Sequence, residues 1–169
     1  MLIFAFLPAV LVFVIPTLLT YFLVRRNKVE YLSLPEGKRY AGFWERFIAG
    51  IIDNVILYII GFVIGFVLVI FFSYQIPQES IRGITGLLTW FYYVLQQTSK
   101  DQATLGMKVM KIKIYNENYE RVGFWRLTGR YFCTLLSLLL LGLGFFMIGW
   151  TKRKQGLHDI IARTIHLKE

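Results

Sequence analysis

Asp53 is the residue whose placement most needs a chemical explanation. It sits in an unbroken run from Phe43 to Phe72, and from Phe47 onward it is the only charge there. An ionisable group at bilayer depth costs roughly 2.5 to 3.5 kcal/mol on insertion scales, so a counter-charge, a proton, a bound cation or a wet cavity must offset it. Arg46 lies on nearly the same face of that helix but about 10 Å nearer its start, too far for a clean contact. Arg126 and Arg130 share a face of a later segment that opens GFWRLTGRYF, echoing the GFWERFIAG at the start of the central run. With the two helices starting at one level, Arg130 falls about one turn short of Asp53, a gap its side chain can cover. We therefore expect Asp53 to pair with Arg130, with Arg126 as the second choice.

Other chemistry finds few groups. His158 and Asp159 are adjacent, His166 is the only other histidine, and no metal-ligand spacing, nucleophile elbow or phosphate-binding glycine loop occurs. The sequence therefore predicts no enzyme, no cofactor and no metal. His158 and Asp159 read as a helix-terminus or salt-bridge pair. Cys133, the single cysteine, lies in an apolar run, allows no intramolecular disulfide and reads as a packed small residue. The net charge of +9 invites comparison with nucleic-acid binders, but the basic residues stand at the ends of apolar segments. That placement sets membrane topology and attracts anionic headgroups, so the expected partner is the bilayer and not nucleic acid.

The elements that must hold these groups are membrane helices. The chain is 56% hydrophobic and 17% aromatic, with several apolar runs longer than the about 20 residues a crossing requires, which excludes a soluble domain. Residues 2–24 are uncharged and are followed by Arg25, Arg26 and Lys28. No charges precede that run and no small-residue cleavage site follows it, so it reads as a retained helix with its N-terminus outside and Arg25 in the cytoplasm. Residues 1–40 thus form an additional N-terminal helix with a charged connector, and residues 41–169 form the main membrane domain. In the central helix Gly61 and Gly65 make a small-xxx-small pair suited to close helix packing. A short outer loop leads to a third helix from Pro77 to about Thr98, ending in the polar cluster Gln96 to Ser99, an interfacial helix end or a vestibule lining.

Residues 101–122 are the largest cytoplasmic insertion. From Met107 to Tyr115 apolar and polar residues alternate, and Asn116 to Asn118 supply a turn, which predicts a small β-hairpin with a basic face of Lys108, Lys111 and Lys113. A straight fourth crossing from Tyr131 to Trp150 would carry Lys152, Arg153 and Lys154 outside, against the positive-inside rule. The favoured reading is a re-entrant helical hairpin turning near Gly142 and Gly144; a full span is the alternative. In the hairpin reading Arg163 to Leu167 adds a strand beside Val109 to Tyr115, and the C-terminus is cytoplasmic. The expected fold class is an all-α integral membrane helix bundle with three transmembrane helices, the hairpin or a fourth span, and the small cytoplasmic β-hairpin.

Arg46, Asp53, the stretch QATLGMKVMKIKI, Arg130 with Tyr131, and GLHDIIARTIHL together resemble the RDD family of bacterial membrane proteins over roughly residues 41–168. That family is named for one arginine and two aspartates, which the resemblance places at Arg46, Asp53 and Asp159. Met107 stands where the family often has lysine, and the leading helix lies outside the family region. The resemblance implies a protein of the bacterial cytoplasmic membrane, with transport the usual suggestion and cation/proton exchange for some members. Two functions follow as expectations. One is transport of a small cation or proton involving Asp53, in a homo-oligomer. The other is a non-enzymatic accessory or regulatory subunit on a larger membrane protein, with Asp53 and the arginines as a structural lock.

Overall fold

The computed structural model describes residues 33–72, 78–139 and 142–169, so the helix expected over residues 2–24 lies outside the described residues. The chain runs β1 (Arg39–Tyr40), α1 (Phe43–Phe72), α2 (Gln78–Thr98), α3 (Leu105–Val109), β2 (Ile112–Asn116), α4 (Phe124–Leu139), α5 (Leu143–Trp150), α6 (Leu157–Ala162) and β3 (Thr164–Lys168).

α1 starts where Glu45, in its first turn, accepts a hydrogen bond from the Gly42 N–H at 3.0 Å, satisfying a donor just before the helix begins. Glu45 also binds Arg39 at 2.5 Å and Lys168 at 2.8 Å, which ties the start of α1 to β1 and β3. Beyond Asn54 the helix is bare: large apolar side chains from Val55 to Phe71 are exposed on all sides. A helix that is apolar all round and has no protein cover belongs in hydrocarbon. Among the described residues it is the one helix long and apolar enough to cross a membrane. Gly61 and Gly65 have open space where a Cβ would stand, so among the described residues nothing packs on that pair.

The packed core lies at the other end of the bundle, where Ala49 of α1, Val94 of α2, Met107 of α3, Ile112 and Ile114 of β2 and Leu127 of α4 meet. Beside it β3 forms the centre of a three-stranded antiparallel sheet of order β1-β3-β2. Its register runs from Ile112 opposite Lys168 to Asn116 opposite Thr164, with Tyr40 opposite Leu167 on the other edge.

This sheet corrects the expected β-hairpin. Residues 105–109 are helical, capped by Thr104, whose hydroxyl accepts the Met107 N–H, and β2 pairs with the distant β3 rather than with a neighbouring strand. The alternation is real only over Ile112 and Ile114, which face the core. The strand expected over Arg163 to Leu167 forms one residue later. The end of the charged connector supplies the third strand. The basic face also dissolves: Lys108 rides on α3 and pairs with Asp101, Lys111 occupies the turn at φ 56, and Lys113 on β2 pairs with Glu169.

α4 ends at Leu139, and Gly142, at φ 76, starts α5. Only glycine adopts that left-handed conformation at little cost. Phe146 of α5 then stacks on Phe43 at the start of α1, with centroids 5.5 Å apart. The apolar run after Arg130 is thus carried by two helices, with Gly144 of α5 lying against Ser137 of α4.

Candidate functional site

Asp159 is fully buried in the first turn of α6, where its Oδ2 accepts the Gly156 N–H at 3.1 Å. Two guanidiniums converge on it from different helices. Arg46 Nη1 of α1 reaches Oδ2 at 2.5 Å, and Arg130 Nε of α4 reaches Oδ1 at 2.8 Å. The remaining nitrogens extend the cluster. Arg46 donates from Nε to the Ala41 carbonyl and from Nη2 to the Lys154 carbonyl. Arg130 donates from Nη1 to Gln97 Oε1, and its Nη2 lies 3.3 Å from His166 Nε2. One carboxylate therefore cross-links α1, α4 and α6, with α2 and β3 held at second remove.

Burial alone pushes the Asp159 carboxyl up, but the neighbouring His158, Arg130, Arg46 and His166 hold it well below the usual carboxylate range. Burial drives both imidazoles the other way, His158 down to about 4 and His166 well below its ordinary value. At neutral pH the histidines are uncharged, and the two guanidiniums carry the pairing.

Asp53, 1% exposed, is satisfied differently. Oδ1 accepts from the Tyr92 hydroxyl and from the Gly106 N–H, each at 2.7 Å, and Oδ2 accepts from the Thr104 hydroxyl at 2.6 Å. The approach of α3 to α1 requires Gly106, because a Cβ there would overlap the Ala49 carbonyl oxygen. The expected Asp53–Arg130 pair does not form. The loop before α3 wedges its own neutral donors against Asp53, while Arg130 turns to the Asp159 carboxylate, where a charge-assisted bond is available. Arg126 is exposed and enters neither site.

Reasoning from sequence alone picks out Arg46, Arg130 and Asp159, which the structure brings together, and Asp53, which it places apart from them. Thr104, Gly106 and Tyr92 escaped it. A threonine followed by glycine at the start of a short helix was the available signal, since such a turn presents free donors to an acid.

Asp53 stands on the wall of a cavity of about 700 Å³ lined from α1, α2, α4 and α5. Arg46, Asp53, Gln97, Arg130, His158 and His166 all border it, and the rest of its wall is largely apolar and aromatic. Among the described residues no group of three acidic, histidine or cysteine side chains is placed to hold a metal ion.

A long bare apolar helix rooted in a layer of buried ion pairs defines an integral membrane protein. The chain belongs to the RDD family, whose model matches residues 40–163, a span that contains Arg46, Asp53 and Asp159. It is similar to uncharacterized protein YxaI of Bacillus subtilis (strain 168), at 36% identity over 73% of this chain and 94% of the relative. It is also similar to uncharacterized membrane protein YteJ of the same organism, at 26% identity over 89% of this chain and 95% of the relative. No solved structure matches.

Proposed function

We propose that this RDD protein is a non-enzymatic accessory or regulatory subunit of a larger membrane protein, with Asp53 and Asp159 acting as structural locks. The observation that carries this reading is the closure of Asp53: both oxygens are taken by three donors from the protein itself, one of them a backbone N–H that cannot be replaced by a cation ligand. A cation site needs oxygens facing the ion, and a carboxylate surrounded by donors offers the reverse. The bare outer two-thirds of α1 adds support as a surface that either lipid or a partner helix can cover. In this reading the sheet layer faces the cytoplasm and the far end of α1 the outside, as the basic residues at the ends of the elements favour.

Affinity purification from native membranes in mild detergent, with the mass of the intact assembly, tests the reading. A stoichiometric larger membrane protein is the expected result. Proton or cation transport keeps one specific observation in its favour, the position of Asp53 on the cavity wall. A clean homo-oligomer whose ion flux in liposomes disappears with Asp53→Asn would establish transport and remove the accessory reading.

A further inference from the structure

The cavity has two unlike ends. At one stand Arg46 and Arg130, whose side chains are only 11% and 13% exposed. A guanidinium carries five N–H donors. In each arginine the three nitrogens make one bond apiece, as described above, which among the described residues leaves two N–H groups on each for a ligand. The pair shares a single carboxylate, Asp159, and with neutral imidazoles the cluster holds an excess of one positive charge. The carboxylate on the wall, Asp53, lies about two helical turns along α1 from Arg46 and is already closed by its three donors.

The other end is apolar. Phe47, Ile51, Leu135 and Phe146 border the cavity and are themselves about half exposed, so it opens between α1 and the α4–α5 hairpin. That opening lies beside the helix that crosses the membrane, on surface that hydrocarbon covers.

We propose that this cavity is a binding site for an anionic phospholipid. Its phosphodiester sits against Arg46 and Arg130, and its acyl chains leave over Phe47 and Ile51 into the bilayer. Paired N–H groups of guanidinium match phosphate oxygens in geometry as well as charge. A phosphodiester carries one negative charge, which balances the excess on the cluster. The apolar opening selects the source: a lipid keeps its chains in hydrocarbon while its head enters, whereas a free anion leaves that wall uncovered. The site goes beyond the accessory role and does not depend on it.

Full-length protein in mild detergent, equilibrated with equal amounts of phosphatidylglycerol and phosphatidylcholine, is read by native mass spectrometry for retained lipid. A single phosphatidylglycerol per chain, retained with a preference of about tenfold, is expected. Gly50 borders the cavity and has open space at its Cβ position, so Gly50→Trp places a large ring in the cavity one helical turn from Arg46. That variant should lose about tenfold in retained lipid while still unfolding in one cooperative transition, and Arg130→Gln should lose the preference between headgroups. Equal retention of the two lipids, or retention unaffected by Gly50→Trp, would mean non-specific lipid around the bundle and overturn the site. Displacement of the lipid by millimolar inorganic phosphate would overturn it in favour of a free-anion pocket.

Discussion

Asp53 and Asp159 are equally sealed from solvent, yet the protein neutralises them by opposite means. Asp53, well inside α1, is surrounded by a tyrosine hydroxyl, a threonine hydroxyl and a backbone N–H, with no cation in contact among the described residues. Asp159, in the layer where helix ends and strands meet, is held between two guanidiniums. The difference follows from what each environment can supply. Within the span, bringing in a second charge would add its own desolvation cost, whereas hydroxyls and a free helix-start N–H offset the carboxylate without one. At the helix ends arginines arrive from several elements, and a shared carboxylate joins them. The lesson is one of vulnerability: losing Asp53 leaves neutral donors, while losing Asp159 strands two buried cations.

The largest expected effect tests that asymmetry directly. Asp159→Asn leaves Arg46 and Arg130 facing each other without a counter-charge, which should cost about 3 to 5 kcal/mol, seen as a steep fall in melting temperature in detergent and in membrane abundance. Adding Arg130→Gln to Asp159→Asn should restore part of the loss, since one stranded cation is gone. A double variant no more stable than the single would show that the cluster is not held by charge.

Acid should weaken the same site next. The folded pKa of His158 lies at about 4, below its ordinary 6.5, because burial excludes the imidazolium. Between those values the unfolded chain binds a proton that the folded chain refuses. Stability is therefore full above pH 6.5 and falls as pH drops toward 4, by on the order of 3 kcal/mol from this residue. Asp159, also depressed, adds its own loss only further down, as pH falls below the ordinary carboxylate range through its folded value. His158→Asn should remove part of the decline in melting temperature between pH 7 and pH 5, the rest coming from His166, whose imidazole burial holds neutral in the same way. A wild-type profile flat across that interval would contradict the buried neutral imidazole.

The elements of this comparison were unequally legible in the sequence. A lone acid in a long apolar run announces a membrane helix, and glycines at 142 and 144 announce a break between two helices, because hydropathy and backbone freedom act locally. The sheet was half legible. Ile112 and Ile114 show their period, but period-2 spacing does not say which strand lies alongside, and the run from Met107 to Val109 mimics the pattern while folding as a capped helical turn. Pairing was least legible. Helix levels can be compared by counting residues, which puts Arg130 near Asp53, but counting cannot show that the loop at Thr104 and Gly106 reaches Asp53 first. Only the tertiary path of residues 101–106 decides that.

Asp53→Asn should be much milder than its counterpart at Asp159. The amide oxygen can still accept from Tyr92 and Gly106, and the Thr104 hydroxyl can turn to accept from the new NH₂ group, so no donor is orphaned. The loss is that of charge in the three bonds, about 1 to 2 kcal/mol. Thermal unfolding of the two asparagine variants side by side measures the contrast. Equal losses would mean that Asp53 is coupled to a charge that its neutral neighbours do not reveal.

Tyr92→Phe should have the smallest effect. It removes one of three donors and leaves Oδ1 with the Gly106 N–H, so a loss of about 1 kcal/mol is expected. Because Tyr92 reaches Asp53 from α2, the variant also separates two ways the clamp can work. If the three bonds act independently, Tyr92→Phe combined with Asp53→Asn costs little more than Asp53→Asn alone, since the shared bond is already weakened. A double-variant loss equal to the sum of the singles would place the hydroxyl's contribution in its other partners, Gln96 and the Leu105 backbone, and Asp53 would then be held by Thr104 and Gly106 alone.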